Sequence, residues 1–340
     1  MRRGTATALA LAGAGGLVAA KRAADRRAAI VAPAPPPLEG RERRVATDDG
    51  IELAVTEHGS ASPAATVLLA HGYVQSSQLW AGQVRDLLAA RPDLRVVTYD
   101  HRGHGQSDRT GREGARLEQL GRDMARVIDA VAPTGPVLVA GHSMGGMTVM
   151  ALAEQFPELF EGRIVGVAFV GTSSGGQADV TYGLPRPVAR LALRVLPALS
   201  ERAAKAEQAG RRRPPTALLE TRLIFGKGAD RAAVAQALEV QAGCSIETFS
   251  YFLATFSDHD RVKALDVLTS VPVVILGGEK DRICPIEHSH AIAAALPQAE
   301  LHVYPGVGHM VQLECREQVS EQLLALLDRA LAPAPALTPA

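Results

Sequence analysis

Residues 137–146 read Val-Leu-Val-Ala-Gly-His-Ser-Met-Gly-Gly. Four apolar residues lead into Gly141-His142-Ser143-Met144-Gly145, and a helical pattern follows. A short continuous apolar run suits a strand buried on both faces. G-x-S-x-G between such a strand and a helix predicts a sharp turn that lifts the serine hydroxyl clear of a sheet. The flanking glycines leave room for strand and helix to approach closely. The helix N-terminus brings partial positive charge to the place where an oxyanion would form.

The same alternation extends to both sides. Apolar runs at 66–70, 95–99, 164–170, 271–276 and 300–303 read as further buried strands. Helical patterns cover 79–90, 116–131, 145–156, 286–295 and 316–331. Residues 45–47 and 51–57 flank Asp48-Asp49-Gly50 and predict a hairpin at the sheet edge. Strands alternating with helices imply an α/β fold with a mostly parallel, doubly wound sheet. From about 174 to 262 the alternation stops. That stretch has helical patterns punctuated by Pro185, Pro187, Pro197, Pro214 and Pro215, and reads as an inserted helical cap. The expected organisation is therefore core at 41–173, cap at 174–262 and core again at 263–332, with a disordered Pro/Ala-rich tail at 333–340. The triplet Arg211-Arg212-Arg213 within the cap reads as a solvated loop.

The chain has 340 residues, 47% of them apolar, which is ample for a buried core. Its formal net charge is zero, so nothing electrostatic points to nucleic acid. Three cysteines, Cys244, Cys284 and Cys315, form neither a disulfide framework nor a metal pattern and read as buried thiols; a Cys284–Cys315 bridge is the minor alternative. Charge is uneven, however: residues 1–44 hold nine Lys/Arg against three Asp/Glu. Within them, residues 4–20 are uncharged and rich in Ala, Leu and Gly, at the lower length limit for a membrane span. A membrane anchor, a signal peptide cleaved after Ala20 and an unstructured Ala-rich segment all fit, and membrane association or export is the expectation. Pro33, Pro35, Pro36 and Pro37 form a stiff spacer that completes a leader at 1–40.

Taken with the strand–elbow–helix at 137–146, several separate motifs resemble the α/β-hydrolase superfamily over about 45–330. The strand 68–70 ends in His71-Gly72-Tyr73, and Asp100-His101-Arg102-Gly103-His104-Gly105-Gln106-Ser107 is similar to the superfamily's D-x-R-G-x-G-x-S loop. The resemblance implies a serine hydrolase with Ser143 as nucleophile. The chain order Ser, acid, His then implies Asp281, after the strand at 271–276, as the acid, and His309, in Gly306-Val307-Gly308-His309, as the base. It also implies that the backbone N–H groups of Tyr73 and Met144 form the oxyanion hole. The His71 ring, Asp100 and Arg102 read as structural. Glu279 is the nearest rival to Asp281, and Asp258, His259 and Asp260 read as a cap hinge or structural.

Serine at 143 speaks against the related epoxide hydrolases and haloalkane dehalogenases, which place an aspartate there. The strings Gly141–Gly146 and Asp100–Ser107 look most like the monoacylglycerol lipase and lysophospholipase branch. They imply hydrolysis of a small-molecule, lipid-like carboxylic ester through an acyl-enzyme. Phe249, Phe252 and Phe256 in the cap suit an apolar acyl chain. C–C bond hydrolysis, perhydrolysis or acyl transfer would use the same triad, and a non-catalytic binding module of this fold is the alternative from another class. With no phosphate cradle, metal set or nicotinamide fingerprint in the sequence, no cofactor is expected.

Overall fold

The structure is a computed structural model that describes residues 38–182, 184–208, 217–256 and 258–332. The segment 4–20, the proline spacer, Arg211–Arg213 and the tail 333–340 lie outside the described residues. Among the described residues no helix is long and apolar enough to cross a membrane.

Eight strands form one sheet: β1 (Arg41–Ala46), β2 (Glu52–Gly59), β3 (Thr66–Ala70), β4 (Arg95–Tyr99), β5 (Val137–His142), β6 (Ile164–Val170), β7 (Val273–Gly278) and β8 (Glu300–Tyr304). Their spatial order is β1-β2-β4-β3-β5-β6-β7-β8. β1 and β2 run antiparallel at one edge, and β3 to β8 are parallel. The helices are α1 (Ala81–Ala90), α2 (Leu117–Val131), α3 (Met144–Gln155), α4 (Arg186–Gln208), α5 (Ala217–Ile224), α6 (Arg231–Gly243), α7 (Ile246–Leu253), α8 (Ile286–Ala295), α9 (Val311–Glu314) and α10 (Arg316–Leu331). Helices α4 to α7 all fall between β6 and β7, where the strand alternation stops in the sequence.

The parallel strands are apolar throughout because helices cover both faces. Successive residues go to opposite layers. Leu68, Val97, Val139, Val167 and Ile275 pack on one side with residues of α2, α3 and α8. Val67, Leu69, Val96, Leu138 and Val274 pack on the other with residues of α1 and α10. Each such side chain contributes about 1.5–3 kcal/mol relative to exposure. β1 differs from the expected 45–47. It starts at Arg41, and of its residues only Val45 is buried. The guanidinium of Arg41 bonds both oxygens of buried Glu57 on β2, alongside the backbone ladder and the buried Val45 that hold this edge strand.

All three cysteines are buried free thiols, so the minor alternative of a Cys284–Cys315 bridge does not hold.

Candidate active site

The ends of β3, β5, β7 and β8 lie along one edge of the parallel sheet, and each leads into a segment singled out by sequence. At the central strand, Ser143 joins β5 to α3 with φ 51° and ψ −117°. A non-glycine residue in this region carries strain of about 1–3 kcal/mol. The turn is held by Ser143 N–H donating to Val170 O at 2.9 Å and by Thr172 Oγ1 donating to Ser143 O at 2.7 Å. A Cβ on Gly145 would sit 2.3 Å from Ala70 O, and one on Gly141 would sit 2.4 Å from the Gly145 backbone. These are contacts with main chain that cannot yield. Both glycines of the motif are therefore required by the packing of β3, β5 and α3.

Beyond β7, Asp281 turns back toward the sheet. Its Oδ1 accepts the N–H groups of Ile283 and Cys284 at 2.8 and 2.9 Å. Its Oδ2 accepts Nδ1–H of His309 at 2.7 Å, and both side chains are buried. The carboxylate is thus fully used, with one oxygen fixing its own loop and the other fixing the ring tautomer. Glu279 instead faces solvent, bonded to Lys280 and to Gly306 N–H. Among the described residues no hydrogen bond joins the Ser143 hydroxyl to the His309 ring; such bonds often tighten only with substrate. The Ser143 side chain lies beside the buried thiol of Cys284, which burial pushes well above the usual cysteine range.

At the end of β3, His71 Nδ1–H donates to Gly72 O at 2.7 Å, and Gln75 N–H donates to the same oxygen at 3.3 Å. Because Gly72 C=O and Tyr73 N–H share one peptide plane, fixing the carbonyl fixes the direction of the N–H. His71 Nε2 accepts the N–H of His101, so its tautomer is set as well. Burial lowers the His71 ring to about 4, keeping it neutral. The Tyr73 ring stacks on Phe249 and meets Phe256 edge-on, at 5.4 and 4.9 Å between centroids, and its hydroxyl donates to Phe249 O. The other expected donor, Met144 N–H, is the first of helix α3 and has no partner within the helix.

Asp100 and Arg102 stay away from this cluster. Asp100 accepts Ser77 N–H and Gln106 N–H, pinning its own loop. Arg102 is buried against Asp123 and Asp49. His259 Nε2–H donates to Ser173 O and its Nδ1 accepts from Arg261 Nη1, and Asp260 pairs with Gly175 in an isolated bridge. Among the described residues no His, Cys, Asp and Glu cluster could hold a metal ion.

Three residues near the site were not singled out by sequence. His142 Nε2–H donates to His309 O at 2.9 Å, its Nδ1 lies 3.1 Å from Gln75 Oε1, and burial lowers it well below the usual histidine range. Gln75 Oε1 also accepts Gly72 N–H. Glu314 accepts the N–H of Gly308. His142 was visible as the variable residue of the elbow; Gln75 and Glu314 carry no motif.

A family model described as serine aminopeptidase, S33, matches residues 61–316. A dihydrolipoyllysine-residue acetyltransferase component of an acetoin cleaving system from Pseudomonas putida is 29% identical over 77% of this chain, which spans 63% of that protein's length. A monoacylglycerol lipase from Mycolicibacterium smegmatis is 26% identical over 73% of this chain and 82% of its own. A bifunctional esterase/perhydrolase from Acinetobacter calcoaceticus is 26% identical over 83% and 98%. Among solved structures, a thermophilic esterase from Thermogutta terrifontis superimposes with a TM-score of 0.69 at 22% identity, covering 86% of this chain and all of its own, a likeness of fold. With the elbow, the sheet order and a family match over three quarters of its length, this chain belongs to the S33 serine aminopeptidase family of hydrolases, within the α/β-hydrolase superfamily.

Proposed function

We propose that the protein is a serine hydrolase that cleaves a carboxylic ester with an apolar, lipid-like acyl group. The observation that carries this reading is the buried Asp281–His309 pair at the same sheet edge as the strained Ser143 elbow. Ser143 Oγ attacks the ester carbonyl carbon as its proton passes to His309 Nε2. Asp281 steadies the imidazolium. The N–H groups of Tyr73 and Met144 receive the oxyanion, where each such donor is worth about 10²–10³ in rate. Collapse breaks the carbon–oxygen bond, and the departing alcohol takes the proton from His309. Water, deprotonated by the same histidine, then releases the carboxylic acid and restores the serine.

Residues 174–262 act as the cap in this reading. Phe252 joins Met144 and Met147 in one apolar cluster, and Phe256 and Tyr251 pack against it, which suits an acyl chain. Perhydrolysis is the second reading, favoured by the likeness to the esterase/perhydrolase; it differs only in the acceptor that opens the acyl-enzyme. Association with a membrane, or export, through residues 4–20 belongs to the same proposal and is tested by fractionating cells that express the whole chain.

The experiment compares the wild-type chain with Ser143→Ala on p-nitrophenyl esters from acetate to palmitate, with fluorophosphonate labelling in parallel. Turnover that vanishes in the variant supports a serine esterase, and the optimal chain length sizes the pocket. Absence of both turnover and labelling in the wild type overturns the reading in favour of a non-catalytic module.

A further inference from the structure

The loop that carries His309 is held from three sides. Asp281 holds the ring and His142 the His309 carbonyl, and the insertion between β6 and β7 holds the backbone N–H groups. Ile224 O, at the last residue of α5, accepts both His309 N–H at 2.8 Å and Met310 N–H at 3.2 Å. Two residues on, Gly226 N–H donates to Glu314 Oε2 at 2.8 Å, while Gly308 N–H donates to Glu314 Oε1 at 3.0 Å. The two backbones run so close that a Cβ on Gly226 would lie 2.1 Å from Gly306 O, and one on Gly308 2.6 Å from Gly226 N. The carboxylate of α9 therefore has one oxygen on the insertion and the other on the residue before His309.

We propose that Glu314 is a positioning residue that clamps the Ile224–Gly226 segment to the Gly308–His309 loop, so that the seating of the insertion sets where the base stands. The proposal rests on the reading of Ser143, Asp281 and His309 as a triad. A carboxylate suits the task because each of its two oxygens accepts one N–H, whereas an amide in the same pose would turn its NH2 toward one of them. Charge adds a second effect. Burial pushes the Glu314 carboxyl up, its two N–H bonds hold it down, and it interacts electrostatically with both Asp281 and His309. The groups facing His309 are thus Asp281, Glu314 and the ring of His142, 4.8 Å away between centroids. When ionised, Glu314 favours the imidazolium that forms as Ser143 attacks. An insertion displaced by an ill-fitting ligand would pull on Ile224 O and Gly226 N together, and so unseat the base.

The test uses the full chain with Glu314→Gln and Glu314→Asp. Glu314→Gln keeps the shape but turns an NH2 toward one of the two N–H groups and removes the charge. We expect kcat to fall by about one to two orders of magnitude, as for misplacement near 1 Å, with KM little changed. Fluorophosphonate labelling of Ser143 should slow in parallel. The acid limb of kcat/KM against pH should move down by roughly half a unit to one unit, since less negative charge makes the imidazolium easier to deprotonate. Glu314→Asp keeps the charge but is too short to reach both N–H groups. It should lower kcat with the acid limb in place, and it carries the test if Glu314→Gln does not fold. A labelled wild type with kcat and acid limb unaltered in the variants overturns the clamp and leaves the triad standing. A wild type that takes up no label overturns the triad and the clamp with it.

Discussion

Replacing Asp123 by alanine should destabilise the protein far more than replacing Asp49, although both bind the same arginine. Arg102 and Asp123 are each 0% exposed in their side chains, while Asp49 is 44% exposed. Asp123 takes Nε and Nη2 of Arg102, both at 2.7 Å. Asp49 takes Nη1 and Nη2 at 2.6 and 2.8 Å. Burial pushes the Asp123 carboxyl up even against these bonds, whereas Arg102 holds Asp49 well below the usual carboxylate range. Removing Asp123 leaves a buried guanidinium with one partner that is half in water, and breaking such a pair costs about 3–5 kcal/mol. Asp49 is itself partly in water, so removing it lets solvent reach Nη1 and Nη2 while Asp123 stays paired, and the cost should be about 1 kcal/mol or less. With m near 3 kcal/mol/M in urea, the Asp123→Ala midpoint should fall by roughly 1–2 M, and that of Asp49→Ala by a few tenths. Circular dichroism at 222 nm during urea titration reads both. The double variant Arg102→Met/Asp123→Leu should recover most of the loss, because removing both charges removes the stranded one. Equal and small effects from the two single variants would refute the reasoning, as would a double variant no better than Asp123→Ala.

Acid should weaken the fold through its buried histidines. Burial lowers His71 to about 4, His104 to about 3 and His259 to about 4, each from 6.5. Each lowered ring stays neutral when folded and takes a proton first in the unfolded chain. Stability is therefore whole above about pH 6.5 and drops by about 1.4 kcal/mol per pH unit per histidine between there and pH 4; a flat Tm across that range would contradict it. Gly145→Ala should give no soluble folded protein, since its Cβ meets Ala70 O at 2.3 Å, whereas Gly111→Ala, with nothing within 4 Å, should stay within about 0.5 kcal/mol of wild type; expression and thermal melts compare them. Tyr73→Phe should keep the backbone donor but lose the hydroxyl bond to Phe249 O, lowering stability by about 0.5–1.5 kcal/mol with only a few-fold loss of kcat on the best p-nitrophenyl ester.

Much of the fold is legible because its signals are local. The strands at 66–70, 95–99 and 164–170 and the helices at 286–295 and 316–331 fall where the apolar pattern places them. Elsewhere the edges move for physical reasons. The pattern at 79–90 divides into a 3-10 turn, Ser77–Trp80, followed by α1, and the run at 271–276 starts its ladder only at Val273, after Pro272. The apolar pattern gives β1 too short a span because its outer half is charged and finds its partner, Glu57, only across the turn. At the site, Asp281 and His309 are singled out because the superfamily's chain order coincides with a strand before each of their loops, and the structure joins them by a hydrogen bond. Glu314, Gln75 and Ile224 are not, because what they supply is a carboxylate, an amide and a backbone carbonyl to residues brought near only by the closed fold.

The order of the parts along the chain has a consequence for synthesis. Ser143 and the His71–Tyr73 loop precede the insertion, and Asp281 and His309 follow it. At about 5–20 residues per second, the ribosome needs roughly 7–28 s to travel from the nucleophile to the acid. During that interval the nascent chain carries an elbow without a base. On the triad reading, the growing polypeptide is chemically silent toward esters until His309 has emerged, so hydrolytic power switches on in one step rather than growing with length.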